Sequence, residues 1–104
     1  MGASDEFTGF EWDAEKNTRC YKERGFDFAY AALLFDGDFL EWEDRRRDWG
    51  EPRFISVGEI HGHALAVVWT PRGRVRRIIS ARPASRSERE QLDGYRQAQS
   101  GRDS

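Results

Sequence analysis

Six arginines, Arg72, Arg74, Arg76, Arg77, Arg82 and Arg86, fall within fifteen residues, and no acid interrupts them between Pro71 and Ser87. A guanidinium is planar, stays charged at any relevant pH and offers paired N–H groups that match two phosphate oxygens. Such a run could hold a phosphate or neutralise charge building up on one. Strand alternation divides it, with Arg74, Arg76, Ile78, Ser80 and Arg82 on one face and Val75, Arg77, Ile79 and Ala81 on the other. This alternation predicts that Arg77 points towards the more apolar side, where its charge needs a carboxylate or a bound phosphate. Arg82 falls where the strand gives way to a helix, so a phosphate there could also meet free backbone donors. The plain alternative is a solvated strand whose charges discourage edge-to-edge aggregation.

Other residues carry weaker chemistry. Trp49 lies in the arginine-rich stretch Arg45–Glu51 and is the best candidate for stacking a base, because single-stranded nucleic acid is commonly gripped by aromatics beside guanidinium groups. Trp12 and Trp69 are most simply core residues. His61 and His63 flank a turn glycine with no visible partner, and read as bystanders. Glu88 is expected to cap a helix, and if it reaches Arg82 it would orient that guanidinium. Cys20 reads as a small packing residue. A single cysteine makes no internal disulfide, and no Cys/His cluster has zinc spacing, so neither metal nor cofactor is expected.

The whole chain has 104 residues and a formal charge of −2, with 17 basic and 19 acidic side chains, which gives no hint of a nucleic-acid partner. Position changes that picture: Asp5 to Asp44 holds twelve acids against four bases. This length supports one modest core and excludes a large multi-layer enzyme. The polar, acidic N-terminus is unlike a secretory signal, and no apolar run approaches the roughly 20 residues of a membrane span. A soluble, cytoplasmic protein is expected.

The elements that must position these groups can be read in order. Phe10-Glu11-Trp12 is a short strand, after which Asp13 caps a helix from Ala14 to about Arg24, stopped by Gly25. Asp27 caps a second helix with an apolar stripe of Phe28, Ala31, Ala32 and Phe35. Phe39 to Asp44 alternates as a strand. Residues 53–60, 63–70 and 74–81 are β-rich runs joined by short glycine-containing turns, which predicts an antiparallel meander. Both alternating sets of 63–70 are apolar, so that strand should be central and covered on both faces. Ser85 and Glu88 form a capping-box pattern for a closing helix. The order predicts an α+β fold: a mainly antiparallel sheet with a three-stranded C-terminal meander, two N-terminal helices and one C-terminal helix. Residues 1–8 read as a disordered tail, 9–96 as a single domain and 97–104 as a frayed tail.

Two motifs then carry a resemblance. Phe10-Glu11-Trp12-Asp13-Ala14-Glu15-Lys16 near the start, and Arg77-Ile78-Ile79-Ser80-Ala81-Arg82-Pro83-Ala84 through Glu88 near the end, resemble the BrnT family, toxins of bacterial type II toxin–antitoxin pairs. Cys20 and Arg24 stand where many members carry Asn and His. The resemblance implies a RelE-like fold and a metal-independent RNA endonuclease that inhibits translation and growth. It also implies neutralisation by a BrnA-like antitoxin in a hetero-oligomer that touches DNA only indirectly, through that complex. Metal-free RNA cleavage needs a proton acceptor for the 2′-hydroxyl, positive charge for the phosphorane and a donor for the leaving oxygen. Within the resemblance Arg77 and Arg82 become the catalytic candidates, and Arg53, Arg76, Lys16 and Trp49 the RNA-binding ones. The general base stays unassigned. A non-catalytic module using the same surface to bind RNA or a protein is the alternative.

Overall fold

Two-residue turns at His61-Gly62 and Gly73-Arg74 fold the last three strands back on one another, β3 (Phe54–Ile60), β4 (His63–Arg72) and β5 (Val75–Pro83). The computed structural model describes residues 7–102 and the side chains of 7–99. β2 (Phe39–Glu43) adds antiparallel to β3, and β1 (Gly9–Trp12) closes the other edge. The sheet order is β1-β5-β4-β3-β2, with β4 at the centre as its two apolar faces required. The α+β reading holds, but the sheet is mixed. β1 runs parallel to β5, with Phe10 opposite Arg76 and Glu11 opposite Arg77.

α1 (Ala14–Arg24) follows β1 directly. Asp13 occupies its cap position, yet its side chain accepts no capping hydrogen bond, while Gly25 ends the helix in the left-handed region with φ 82° and donates to the Tyr21 carbonyl. Asp27 does cap α2 (Phe28–Ala31), accepting the Tyr30 N–H at 2.9 Å. The expected stripe then changes. Ala32–Asp36 tightens into a 3-10 helix of three residues per turn, so Leu34 falls in line with Phe28 and Ala31 and is buried, whereas Phe35 is only partly buried. Gly58 on β3 lets this segment approach, because a Cβ there would stand 3.0 Å from Leu34 Cγ and 3.2 Å from the Asp38 carbonyl oxygen.

The two faces of the sheet carry separate cores. On the side of α1 and α2, Cys20, Phe28, Ala31 and Leu34 pack on Leu65, Val67, Trp69, Ile78 and Ala81. On the other, α3 (Arg86–Arg102) lays Leu92 against Ile55, Val57 and Ala66. α3 continues as helix through residues 97–102, where fraying was expected. The tail expected at the other end lies, over residues 1–6, outside the described residues. Phe7 belongs to the fold, since its ring meets Trp69 edge-on at 5.1 Å, and the Thr8 N–H donates to the Arg74 carbonyl.

Candidate functional site

The register of β5 decides which arginines can meet a ligand. Val68 pairs with Ser80 and Trp69 with Ile78, so Ile79 is an extra residue that reverses the alternation along the strand. Before the bulge Arg76 and Ile78 face the α1/α2 side. After it Ala81 does. Arg77, opposite Thr70, and Arg82, opposite Ala66, share the α3 side. The expected division of the run is therefore corrected: Arg76 is the arginine that points into a core, and Arg77 and Arg82 lie together on the opposite face.

On the α3 side the fold brings a carboxylate to three arginines of the acid-free run, Arg72, Arg77 and Arg82. Glu88, in the first turn of α3, accepts from Arg82 Nη1 and Nη2 at 2.7 and 2.9 Å and from the Ser85 N–H at 2.8 Å. Ser85 Oγ in turn accepts the Glu88 N–H at 3.2 Å, completing the capping box, so Glu88 both caps the helix and orients Arg82. The Arg82 hydrogen bonds, outweighing the cost of burial, hold the Glu88 carboxyl down at about 2. Arg77 Nη1 donates to Glu11 Oε2 at 2.7 Å across the β1–β5 pair. Arg72 meets Glu51 at 3.3 Å.

The loop between β2 and β3 supplies the third clamp. Buried Asp44 accepts from Arg46 Nε and Nη2 at 2.8 and 2.9 Å and from the Arg46 N–H at 3.2 Å. Those side-chain bonds pull the Asp44 carboxyl below its usual range. Arg46 is otherwise exposed, and lies close enough to Arg82 and Glu88 for their charges to influence one another. Thr70 Oγ1 donates to the Pro52 carbonyl at 2.6 Å and ties the loop to β4. The Trp49 ring in this loop has two guanidiniums over it, Arg47 at 4.1 Å and Arg53 at 4.2 Å from the ring centre.

Glu88 and Asp44 are held too acidic to take up a proton near neutrality. Their role is positional: each fixes a guanidinium in place while leaving that arginine's remaining N–H groups free to face outward. The arrangement can bind and stabilise an oxyanion with several preset cations.

The chain from Trp12 to Glu88 matches the family model described as the ribonuclease toxin, BrnT, of type II toxin–antitoxin systems. The chain belongs to the BrnT family. It is accordingly a ribonuclease, and a toxin of this type implies a protein antitoxin as partner. No curated protein matches the chain. Family membership takes the ground from the non-catalytic alternative, and the matched span contains Arg46, Arg53, Arg77, Arg82 and Glu88.

For this BrnT-family chain the sequence-derived residues divide by location. Arg82 and Arg77 lie on the α3 face, with Arg53 and Trp49 in or beside the loop at its margin. Arg76 is only 4% exposed, enclosed by Phe7, Phe35, Phe39 and Trp69 with ring centres 4.1 to 5.9 Å from its guanidinium carbon. It lies inside the fold, where RNA cannot reach it, and burial lowers its basicity despite the nearby Glu41 charge. Lys16 stands apart on α1, bordering a shallow depression of about 200 Å³ with Arg19 and Arg24. Cys20 is buried, its thiol pushed up by that burial, and Sγ contacts the Ala81 carbonyl at 3.6 Å. His61 meets Tyr30 Oη at 3.5 Å, at the turn between β3 and β4.

Sequence reasoning did not pair Asp44 with Arg46. Arg46 sits in a loop of three successive arginines, and nothing in the linear pattern says which of them a buried carboxylate will select. A roomier groove, about 780 Å³, lies elsewhere, at the sheet end lined by Tyr21, Phe26, Tyr30, Leu65 and Leu92 with carboxylates Asp27, Glu59 and Asp93. Its lining suits apolar contact better than a phosphate.

Proposed function

We propose that this ribonuclease is a metal-independent RNA endonuclease whose active face is the α3 side of the sheet, with Arg77, Arg82 and Arg46 around the scissile phosphate. In this reading the 2′-hydroxyl attacks phosphorus, charge grows on the non-bridging oxygens, and the 5′-oxygen leaves. Arginines already fixed by Glu88, Glu11 and Asp44 meet that charge without having to reorganise, which is where such electrostatic stabilisation is most effective. Arg53 extends the cationic margin for the flanking backbone. The domain of residues 9–96, of RelE-like architecture, would act in the cytoplasm to inhibit translation, until a BrnA-like antitoxin covers it.

The observation that carries the reading is the Arg82–Glu88–Ser85 arrangement. A buried, permanently ionised carboxylate spends both oxygens on a single arginine and on a helix cap, within the segment that matches a ribonuclease family. The test is cleavage of a single-stranded RNA in excess chelator, with the ends analysed. Cleavage leaving 2′,3′-cyclic phosphate is expected, and Arg82→Ala should lower kcat per folded molecule about 100-fold or more, alongside a lower unfolding midpoint because buried Glu88 loses its partner. Cleavage abolished by chelator would sink metal independence; full activity in Arg82→Ala would sink the assignment of Arg82.

A further inference from the structure

The loop between β2 and β3 is built more firmly than an electrostatic fringe requires. Asp44 ties down its start, Thr70 and Arg72 hold its end through Pro52 and Glu51, and Asp48 Oδ1 accepts the Gly50 N–H at 2.9 Å in the turn between. What this frame presents is the indole of Trp49 with two guanidiniums over its ring, and at 4.1 and 4.2 Å from one ring centre two such planar groups fit without clashing only on opposite faces. The two cations differ. Arg53 immediately precedes β3, is mostly buried and has Glu51 at 3.8 Å. Arg47 is exposed and has no carboxylate within ion-pair distance among the described residues. Two like charges separated only by one ring repel, and the exposed one is the cheaper to release into water. Trp49 Nε1 and Arg53 Nε are both buried with no acceptor among the described residues, so the stack is left with two unused donors.

Resting on the ribonuclease reading above, we propose that Trp49 is a base-stacking platform opened by displacement of Arg47, and that it selects single-stranded RNA with an unpaired base beside the scissile phosphate. A nucleobase takes the ring face that Arg47 vacates, backed by Arg53 on the other side. Every base has a π-face, so the platform tolerates sequence. It excludes a base that is already stacked within a duplex. The unused donors of Trp49 and Arg53 then have base carbonyl or ribose oxygens to meet. Displaced Arg47 remains beside the strand as a mobile cation.

The experiment measures binding to a fluorescein-labelled 2′-O-methyl decamer, which cannot be cut by 2′-hydroxyl attack, as a single strand, as a duplex, and as an abasic ribose-phosphate oligomer of equal length. Wild type should prefer the single strand over both. Trp49→Ala should lose about five- to hundredfold in single-strand affinity, the range that base–aromatic stacking confers, and should bind all three probes alike. Trp49→Phe should restore most of the preference. Arg47→Ala, a change at an exposed side chain, should keep the preference, because the ring face is already bare. Undiminished preference in Trp49→Ala, or its loss in Arg47→Ala, would overturn the platform. Should Trp49→Ala unfold, wild type and Arg47→Ala against the abasic oligomer decide the matter. Wild type that binds RNA without preferring single strands defeats the platform alone; wild type that binds no RNA defeats the ribonuclease site as well.

Discussion

Arg76 and Arg77 are neighbours on one strand and are stabilised in opposite ways. Arg76 enters a box of four aromatic rings on the α1/α2 side, where Nε and Nη2 have no acceptor among the described residues. Arg77 and Arg82, on the α3 side, each lean on a carboxylate and stay about one-third exposed. An aromatic box satisfies the charge of a guanidinium but encloses it. A carboxylate partner satisfies one edge and leaves the rest of the fork to a ligand. A cluster of arginines in sequence therefore contains two materials, one that holds the sheet together and one that can do chemistry, and the side of the strand decides which is which.

The largest effect expected from breaking this comparison is on stability at Arg76. Arg76→Ala removes a desolvated cation–π contact and empties the space that its long stem fills, at a cost of about 3 kcal/mol. Arg76→Met refills that space and removes the unpaired N–H groups, and should fall within about 1 kcal/mol of wild type. Urea unfolding midpoints measure both, and Arg76→Met should keep its RNA cleavage per folded molecule. If Arg76→Met is stable yet no longer binds RNA, Arg76 belongs to the ligand site and the distinction between the two sides collapses.

How much of this was legible in the sequence follows from the range of each interaction. The Asp27 cap, the Ser85–Glu88 capping box and both short turns depend on residues a few positions apart, and all were readable. The pairing of β1 with β5 joins segments more than sixty residues apart, and four residues of alternating pattern cannot name a partner. The Ile79 bulge was equally hidden: one extra residue exchanged the roles of Arg76 and Arg77 while leaving the apolar pattern plausible either way. Arg82 with Glu88 could be anticipated, because they flank one cap. Asp44 with Arg46, and Glu11 with Arg77, depended on which loop tip and which strand edge the fold would bring near.

A smaller effect sharpens the α3 side itself. Glu88 has a folded-state value of about 2 against an ordinary 4.5. A carboxyl lowered in this way contributes stability that is fully present above its unfolded value, and gives it up as the pH falls from about 4.5 through 2. With its partner one-third exposed, the contribution is about 2 to 3 kcal/mol. Glu88→Gln cannot titrate, so its stability should lie below wild type at pH 7 and close the gap as pH falls towards 2. Stability curves that run parallel from pH 7 to 2.5 would show that the clamp on Arg82 is not electrostatically coupled to folding.

The smallest expected effect concerns Arg46, the most exposed of the three arginines held by Glu88, Glu11 and Asp44, at 73% of its side chain. Asp44 engages Nε and Nη2, which leaves Nη1 and the outer edge of the fork for a phosphate. If Arg46 makes one phosphate contact, Arg46→Ala should reduce the slope of log binding constant against log salt by about 0.7 for single-stranded RNA, while Arg76→Met leaves the slope unchanged. Buried Asp44 would then lose its partner, so Arg46→Gln, which keeps a donor for that carboxylate, is the cleaner variant. An unchanged slope in Arg46→Gln would confine phosphate recognition to Arg77 and Arg82 and reduce the Asp44 clamp to a loop anchor. A changed slope in Arg76→Met would mean that the aromatic box opens when RNA binds, and that a caged arginine can still act at the surface.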